Sequence, residues 1–80
     1  MIAKIANYIK QEIANEPLDN LGEQEDLLGS GIIDSMGMIR LISYLEQEFQ
    51  VTIPAEDMVV ENFMTLAHIL EFLSKKKGEQ

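Results

Sequence analysis

Residues 35–49 read Ser35-Met36-Gly37-Met38-Ile39-Arg40-Leu41-Ile42-Ser43-Tyr44-Leu45-Glu46-Gln47-Glu48-Phe49. Met36, Ile39, Ile42, Leu45 and Phe49 recur at helical spacing and Leu41 widens the stripe, which predicts an amphipathic helix. Immediately before it stands Gly31-Ile32-Ile33-Asp34, a glycine-bearing approach that ends in an aspartate. A serine at the start of a helix sits beside backbone N–H groups that have no intrahelical partner. Those donors and the helix dipole accommodate a phosphate, so a phosphodiester on Ser35 would be well placed. Gly37 puts no side chain in its way, and Met36 and Met38 offer soft apolar contact beside it. Either Ser35 or Asp34 can act as the capping side chain.

Working outward from this helix, the segment upstream carries Ile2, Ile5, Ala6, Ile9 and Ile13 at helical spacing, with Lys4, Asn7, Lys10, Gln11 and Glu12 on the other face. A first helix over roughly 2–15 follows, ended by Pro17. A long loop then reaches Asp34, with Pro17, Gly22, Gly29, Ser30 and Gly31 as loop signals. Leu18, Leu21, Leu27, Leu28, Ile32 and Ile33 predict that it is pinned down at intervals, with room for one helical turn. Downstream, Val51-Thr52-Ile53-Pro54 reads as an extended link, since no second strand is available to pair with it. Pro54 opens a short helix over roughly 55–61, with Glu56 and Asp57 favourably near its N-terminus. Thr65 caps a last helix over roughly 65–77. Leu66, Ile69, Leu70 and Leu73 form its buried face, Lys75, Lys76 and Lys77 lie at its C-terminal end, and Gly78 stops it. Met58 and Met64 are expected in the core. These apolar faces can be satisfied only against one another. The expected fold is therefore all-α: a small bundle of three main helices and one short one, with a long first loop and residues 1–80 as a single domain.

Eighty residues leave no room for a Rossmann unit with a substrate domain, or for a TIM barrel. Apolar residues make up 46% and charged residues 25%, the balance of a globular chain rather than a disordered one. Six Lys+Arg against fourteen Asp+Glu give a net charge of -8. That argues against nucleic acid and against insertion into an anionic membrane, and suits partners that present Lys and Arg. The absence of cysteine removes disulfides, thiol catalysis and Cys-based zinc sites, and makes a reducing cytoplasm the simpler setting. No targeting segment is read in the first residues, and no apolar run approaches the roughly 18 residues of a membrane span. His68 is the only histidine, so no catalytic or metal role is expected of it. Glu23, Glu25 and Asp26 lack the spacing and central glycine of an EF-hand loop.

Asp34-Ser35-Met36 resembles the Asp-Ser-Leu attachment motif of acyl carrier proteins and the related peptidyl and aminoacyl carriers. The triplet alone carries little weight. The resemblance also covers the amphipathic first helix, the long loop, Gly31-Ile32-Ile33-Asp34-Ser35, the Leu-Glu-x-x-Phe-x-Val-x-Ile-Pro run from Leu45 to Pro54, and Glu61-Asn62-Phe63-Met64-Thr65-Leu66. It implies a four-helix bundle of acyl-carrier type bearing 4′-phosphopantetheine on Ser35, with Asp34 supporting the attachment. A separate phosphopantetheinyl transferase supplies the arm from coenzyme A. The resemblance further implies that the chain catalyses nothing and carries acyl or aminoacyl cargo as a thioester, as a cytoplasmic monomer. Loading and processing enzymes would dock on the helix after the serine, at Met36, Met38, Ile39, Arg40, Ser43, Glu46 and Gln47. Met36 replaces the commoner leucine. Arg40 stands where many fatty-acid carriers have an acid, so a basic patch on a fatty-acid synthase would meet a like charge there. Arg40 is also expected to pair with an acid on its own helix or to stack under Tyr44. The Ile-Ile-Asp-Ser-x-Gly pattern looks nearer to stand-alone carriers of aminoacyl or specialised acyl groups, D-alanyl carriers included. The alternatives are an unmodified helical adaptor with the same fold and a small regulatory or metal-sensing protein that merely looks similar.

Overall fold

Three isoleucines, each four residues after the last, set the course of the first element. The computed structural model describes residues 2–14 and 20–79. Helix α1 (Ile2–Tyr8) runs directly into a π-helical turn over Ile9–Ile13, closed by the Ala14 N–H on the Ile9 carbonyl at 2.8 Å. Side chains spaced by four drift about 40° per step around a turn of 3.6 residues. The wider i→i+5 turn takes that drift back, and Ile5, Ile9 and Ile13 all end buried. The α-helix expected to continue to about residue 15 therefore stops at Tyr8, and the chain is already extended at Ala14 (φ -64°, ψ 137°). The stop assigned to Pro17 and the anchoring assigned to Leu18 fall outside the described residues.

The approach to the second helix is a loop held at both ends of its hydrophobic contacts. Leu27 and Ile33 are buried, the Leu27 N–H bonds to the Met64 carbonyl at 2.9 Å, and the Ala67 N–H bonds to the Glu23 carbonyl at 3.0 Å. Hydrogen-bonded turns over residues 27–31 stand where a helical turn had room, and Gly31 takes φ 81°, the left-handed region that glycine enters without strain.

Helix α2 (Ser35–Phe49) has the expected length but not the expected face. Its core side is Met38, Leu41, Ile42 and Leu45, while Met36 and Ile39 are 69% and 61% exposed. The apolar stripe in the sequence is wider than the core can cover, and packing selects one flank of it. Gln50 ends the helix in the left-handed conformation (φ 55°, ψ 50°), with its N–H on the Glu46 carbonyl.

Val51 and Ile53 then point inward from an extended link, as the alternation predicts, and no strand forms among the described residues. The single short helix expected over 55–61 is instead two pieces: a 3-10 turn at Ala55–Asp57 and a four-residue α3 at Val60–Phe63. Val59 between them is extended (ψ 152°). Two adjacent β-branched valines favour that break. The Asn62 amide closes it by donating to the Asp57 carbonyl at 2.8 Å. Helix α4 (Leu66–Glu79) starts after Thr65, whose Oγ1 accepts the His68 N–H at 3.1 Å, and it runs on through Gly78 rather than stopping there. Leu66, Ile69, Phe72 and Leu73 bury its inner side, with Phe72 edge-on to Phe63 at 5.3 Å. The result is an all-α four-helix bundle in which α1, α2 and α4 enclose the core and the short α3 closes one side.

Candidate functional site

Ser35 is the first residue of α2 and its side chain is exposed. The two capping candidates are resolved by the aspartate. Asp34 lies just outside the helix (φ -99°, ψ -175°), its Oδ1 accepts the Gly37 N–H at 2.7 Å, and its carbonyl accepts the Met38 N–H at 2.9 Å. The Ser35 hydroxyl is thereby left without a hydrogen bond to any described residue. The N–H groups of Ser35 and Met36 are also without a partner among the described residues, as the geometry of a helix start requires.

Gly37 is buried. A Cβ there would lie 3.5 Å from the Ile13 carbonyl oxygen, 3.4 Å from Ile33 Cβ and 3.4 Å from Asp34 Oδ1. It faces the end of the first element rather than the space around Ser35. All three are ordinary contact distances, so the packing there would admit a methyl group.

Beside Ser35 opens a trough of about 230 Å³, lined otherwise by Leu28, Met38, Ile39, Ile42, Met58, Val59, Val60 and Phe63. Its walls are apolar throughout, and its far bank is the segment where the short helix breaks. Met58, expected in the core, is 46% exposed here because the break at Val59 turns it outward. Of the trough's lining residues, Leu28, Ile42, Met58, Val59, Val60 and Phe63 are ones the sequence did not mark as functional. The only signal for them is Met58-Val59-Val60, an apolar run that fits no helical stripe.

The seven residues expected to meet partners divide as follows. Met36, Ile39, Arg40, Ser43 and Gln47 are exposed along one face of α2. Met38 is buried and reaches the surface only through the floor of the trough, because it lies on the inner side of the helix with Leu41 and Ile42. Glu46 is half-buried, and its Oε2 accepts the Ile53 N–H at 2.8 Å, so it secures the link after α2. Glu48 pairs with Lys4 at 2.8 Å. Tyr44 stacks on Tyr8, with ring centroids 3.9 Å apart and planes 8° from parallel, rather than on Arg40. Arg40 has no ion-pair partner among the described residues. His68 is engaged by Thr65, whose Oγ1 lies 2.7 Å from its Nδ1.

The site fits a phosphodiester on the serine. The hydroxyl is exposed and uncommitted, two amide N–H groups beside it have no partner among the described residues, and one oxygen of the adjacent Asp34 carboxylate is engaged by Gly37. Comparison with known proteins points the same way. The family described as phosphopantetheine attachment site matches residues 3–73. The D-alanyl carrier protein of Streptococcus mutans serotype c is 30% identical over 77 residues, which cover 96% of this chain and 91% of that one. Among solved structures, the chain aligns with one in the crystal structure of an FAD-dependent dehydrogenase, at a TM-score of 0.76 and 26% identity, covering 86% of this chain and 97% of that one. It also aligns with a chain in the structure of the Bradyrhizobium japonicum glycine:[carrier protein] ligase complexed with glycylated carrier protein. That match has a TM-score of 0.69 and 28% identity over 90% of each chain.

Proposed function

Because the chain belongs to the phosphopantetheine-attachment-site family and is a carrier whose prosthetic group is 4′-phosphopantetheine, we propose that Ser35 bears that group and that the cargo is a small aminoacyl unit of the D-alanyl or glycyl kind. The observation that carries the assignment is the open Ser35 hydroxyl at the start of α2, released from capping by Asp34. The relatives named above favour an aminoacyl cargo over a fatty-acyl one, and so does Arg40 on the docking helix.

In the modification, Ser35 Oγ forms a bond to the β-phosphorus of coenzyme A. The bond from that phosphorus to the nucleotide phosphate breaks, adenosine bisphosphate leaves, and the transferase takes the hydroxyl proton. The Ser35 and Met36 N–H groups are the donors on this chain that can meet the phosphate oxygens. When bound, the group supplies a terminal thiol that holds cargo as a thioester. The chain contributes an anchored tether, which raises the local concentration of cargo at each docked enzyme. In this reading residues 1–80 form one carrier domain, a cytoplasmic monomer that is itself no catalyst and is the substrate of its transferase and its loading enzymes.

Intact mass after incubation with coenzyme A and a broad-specificity phosphopantetheinyl transferase tests the assignment. The wild type gains one phosphopantetheinyl increment and Ser35→Ala gains none. An increment on Ser35→Ala would remove Ser35 from the reading. No increment on the wild type would favour the adaptor.

A further inference from the structure

The large apolar side chains most exposed on the described residues stand in two groups. Met36 and Ile39 lie on α2, and Met58, Val59 and Val60 lie on the broken segment before α3. Ile39 and the Met58–Val60 run form facing banks of the trough that begins at Ser35. Apolar surface gathered in this way marks a place that another molecule covers.

The α2 side of this surface differs in charge from the rest of the molecule, while the exposed acids Asp34, Glu56 and Glu61 stand beside it in the chain. The chain carries a net charge of -8, yet residues 35–45 hold one charged side chain, Arg40, and it is exposed. Arg40 follows Met36 by four residues and precedes Ser43 by three, so these three share a stripe on the outside of α2. The acids further along are committed, Glu46 to the Ile53 amide and Glu48 to Lys4. Arg40 has no ion-pair partner among the described residues.

We propose that the surface around Ser35 docks the loading enzyme through a protein face that has an apolar centre and places a carboxylate side chain opposite Arg40. This rests on the carrier reading of Ser35. A protein is favoured over the cargo itself as the occupant. A group tethered at Ser35 can enter the trough, but Met36 and Arg40 lie outside the trough's lining and would stay uncovered. A protein face spans both. The charge of the whole molecule acts on approach, while Arg40 acts at contact, where complementarity fixes orientation and a like charge is rejected.

The test uses the phosphopantetheinylated protein, with the mass increment confirmed for each variant and folding confirmed by far-UV circular dichroism. A D-alanine:carrier ligase loads wild type, Arg40→Ala, Arg40→Glu, Lys75→Glu and Met58→Ser, and kcat/KM for the carrier is measured at low and high salt. Arg40→Ala should lose about fivefold and Arg40→Glu about thirtyfold, chiefly through KM. Added salt should narrow the gap, since it screens the repulsion. Lys75→Glu makes the same change in net charge on α4 and should stay within about twofold of wild type. Arg40→Glu loading as fast as wild type, or faster, overturns the proposal and assigns the partner a basic face. Equal losses in Arg40→Glu and Lys75→Glu overturn it in favour of overall charge. A defect in Met58→Ser with none in either Arg40 variant overturns it in favour of cargo in the trough. A missing mass increment on the wild type overturns the carrier reading itself, and the docking proposal with it.

Discussion

At the scale of single residues, the site depends on which of two neighbours caps α2. Asp34 accepts the Gly37 N–H through a 2.7 Å bond and holds the chain extended at the helix boundary, so Ser35 enters the helix as its first residue with an uncommitted hydroxyl. Replacing a capping aspartate by alanine typically costs about 1 kcal/mol. In a domain of this size that is a fall in melting temperature of about 4–8 °C. Asp34→Ala should show that fall in thermal unfolding followed by circular dichroism, and Asp34→Asn, which keeps an acceptor, should recover most of it. The same variant should take up phosphopantetheine more slowly, because the Ser35 hydroxyl becomes the nearest side chain able to serve the vacant cap. Wild-type melting together with a wild-type modification rate would show that the aspartate performs neither role. This division of labour was half legible. Asp-Ser before an apolar run announces a cap and a serine at a helix start, but only the backbone angles say which residue is which.

Between elements, the clearest contact is α1 against the far end of α2. Tyr8 stacks on Tyr44, and Lys4 bonds to Glu48 at 2.8 Å. The hydrogen bond and charge of Glu48 raise Lys4 above its ordinary 10.5, and burial followed by the Glu48 charge raises Tyr44 above its ordinary 10.0. Each group holds its proton more tightly in the folded chain than in the unfolded one. The stability this brings is fully present below those ordinary values and is lost as pH climbs through the raised ones. Urea midpoints should therefore hold steady up to about pH 10 and fall over the interval above it. Tyr44→Phe, which cannot ionise, should lose less over that interval than the wild type. An identical drop in both would remove Tyr44 from the account. The extent of α2 could be read from its spacing and from the cap before it, whereas the left-handed Gln50 that ends it carries no such mark, since glycine or asparagine is the usual residue there. Which face it buries could not. Met36 and Ile39 belong to the same apolar stripe as Ile42 and Leu45, and only the position of α1 and of the loop bearing Leu27 and Ile33 decides that they stay outside.

For the whole molecule, long-range ties place the trough's far bank, and these are what a sequence hides best. The pairing of Asp57 with Lys76 joins the 3-10 turn to the end of α4 at 2.7 Å, with both side chains largely covered (28% and 20% exposed) and the Lys76 ammonium 5.8 Å from the centre of the Phe72 ring. In the sequence, Lys76 is one of three lysines that suit a helix end and nothing singles it out. The neighbouring pair Lys75 with Glu71, at 3.4 Å and 72% and 67% exposed, has the spacing a sequence reading would choose. Exposed i,i+4 pairs contribute about 0.3–0.5 kcal/mol. A partly covered pair is less screened, and leaving one partner unmatched in it is more damaging. A double-mutant cycle of Asp57→Asn with Lys76→Met should then give a coupling of about 1 kcal/mol, at least twice that of Glu71→Gln with Lys75→Met. Hydrogen exchange at Met58 and Asn62, whose N–H groups bond to the Ala55 and Val59 carbonyls, should quicken in Asp57→Asn and not in Glu71→Gln, because only the first loosens the segment that forms the trough's far bank. Equal couplings in the two cycles, with protection of Met58 and Asn62 unchanged, would mean that the ion pair does not hold that bank in place.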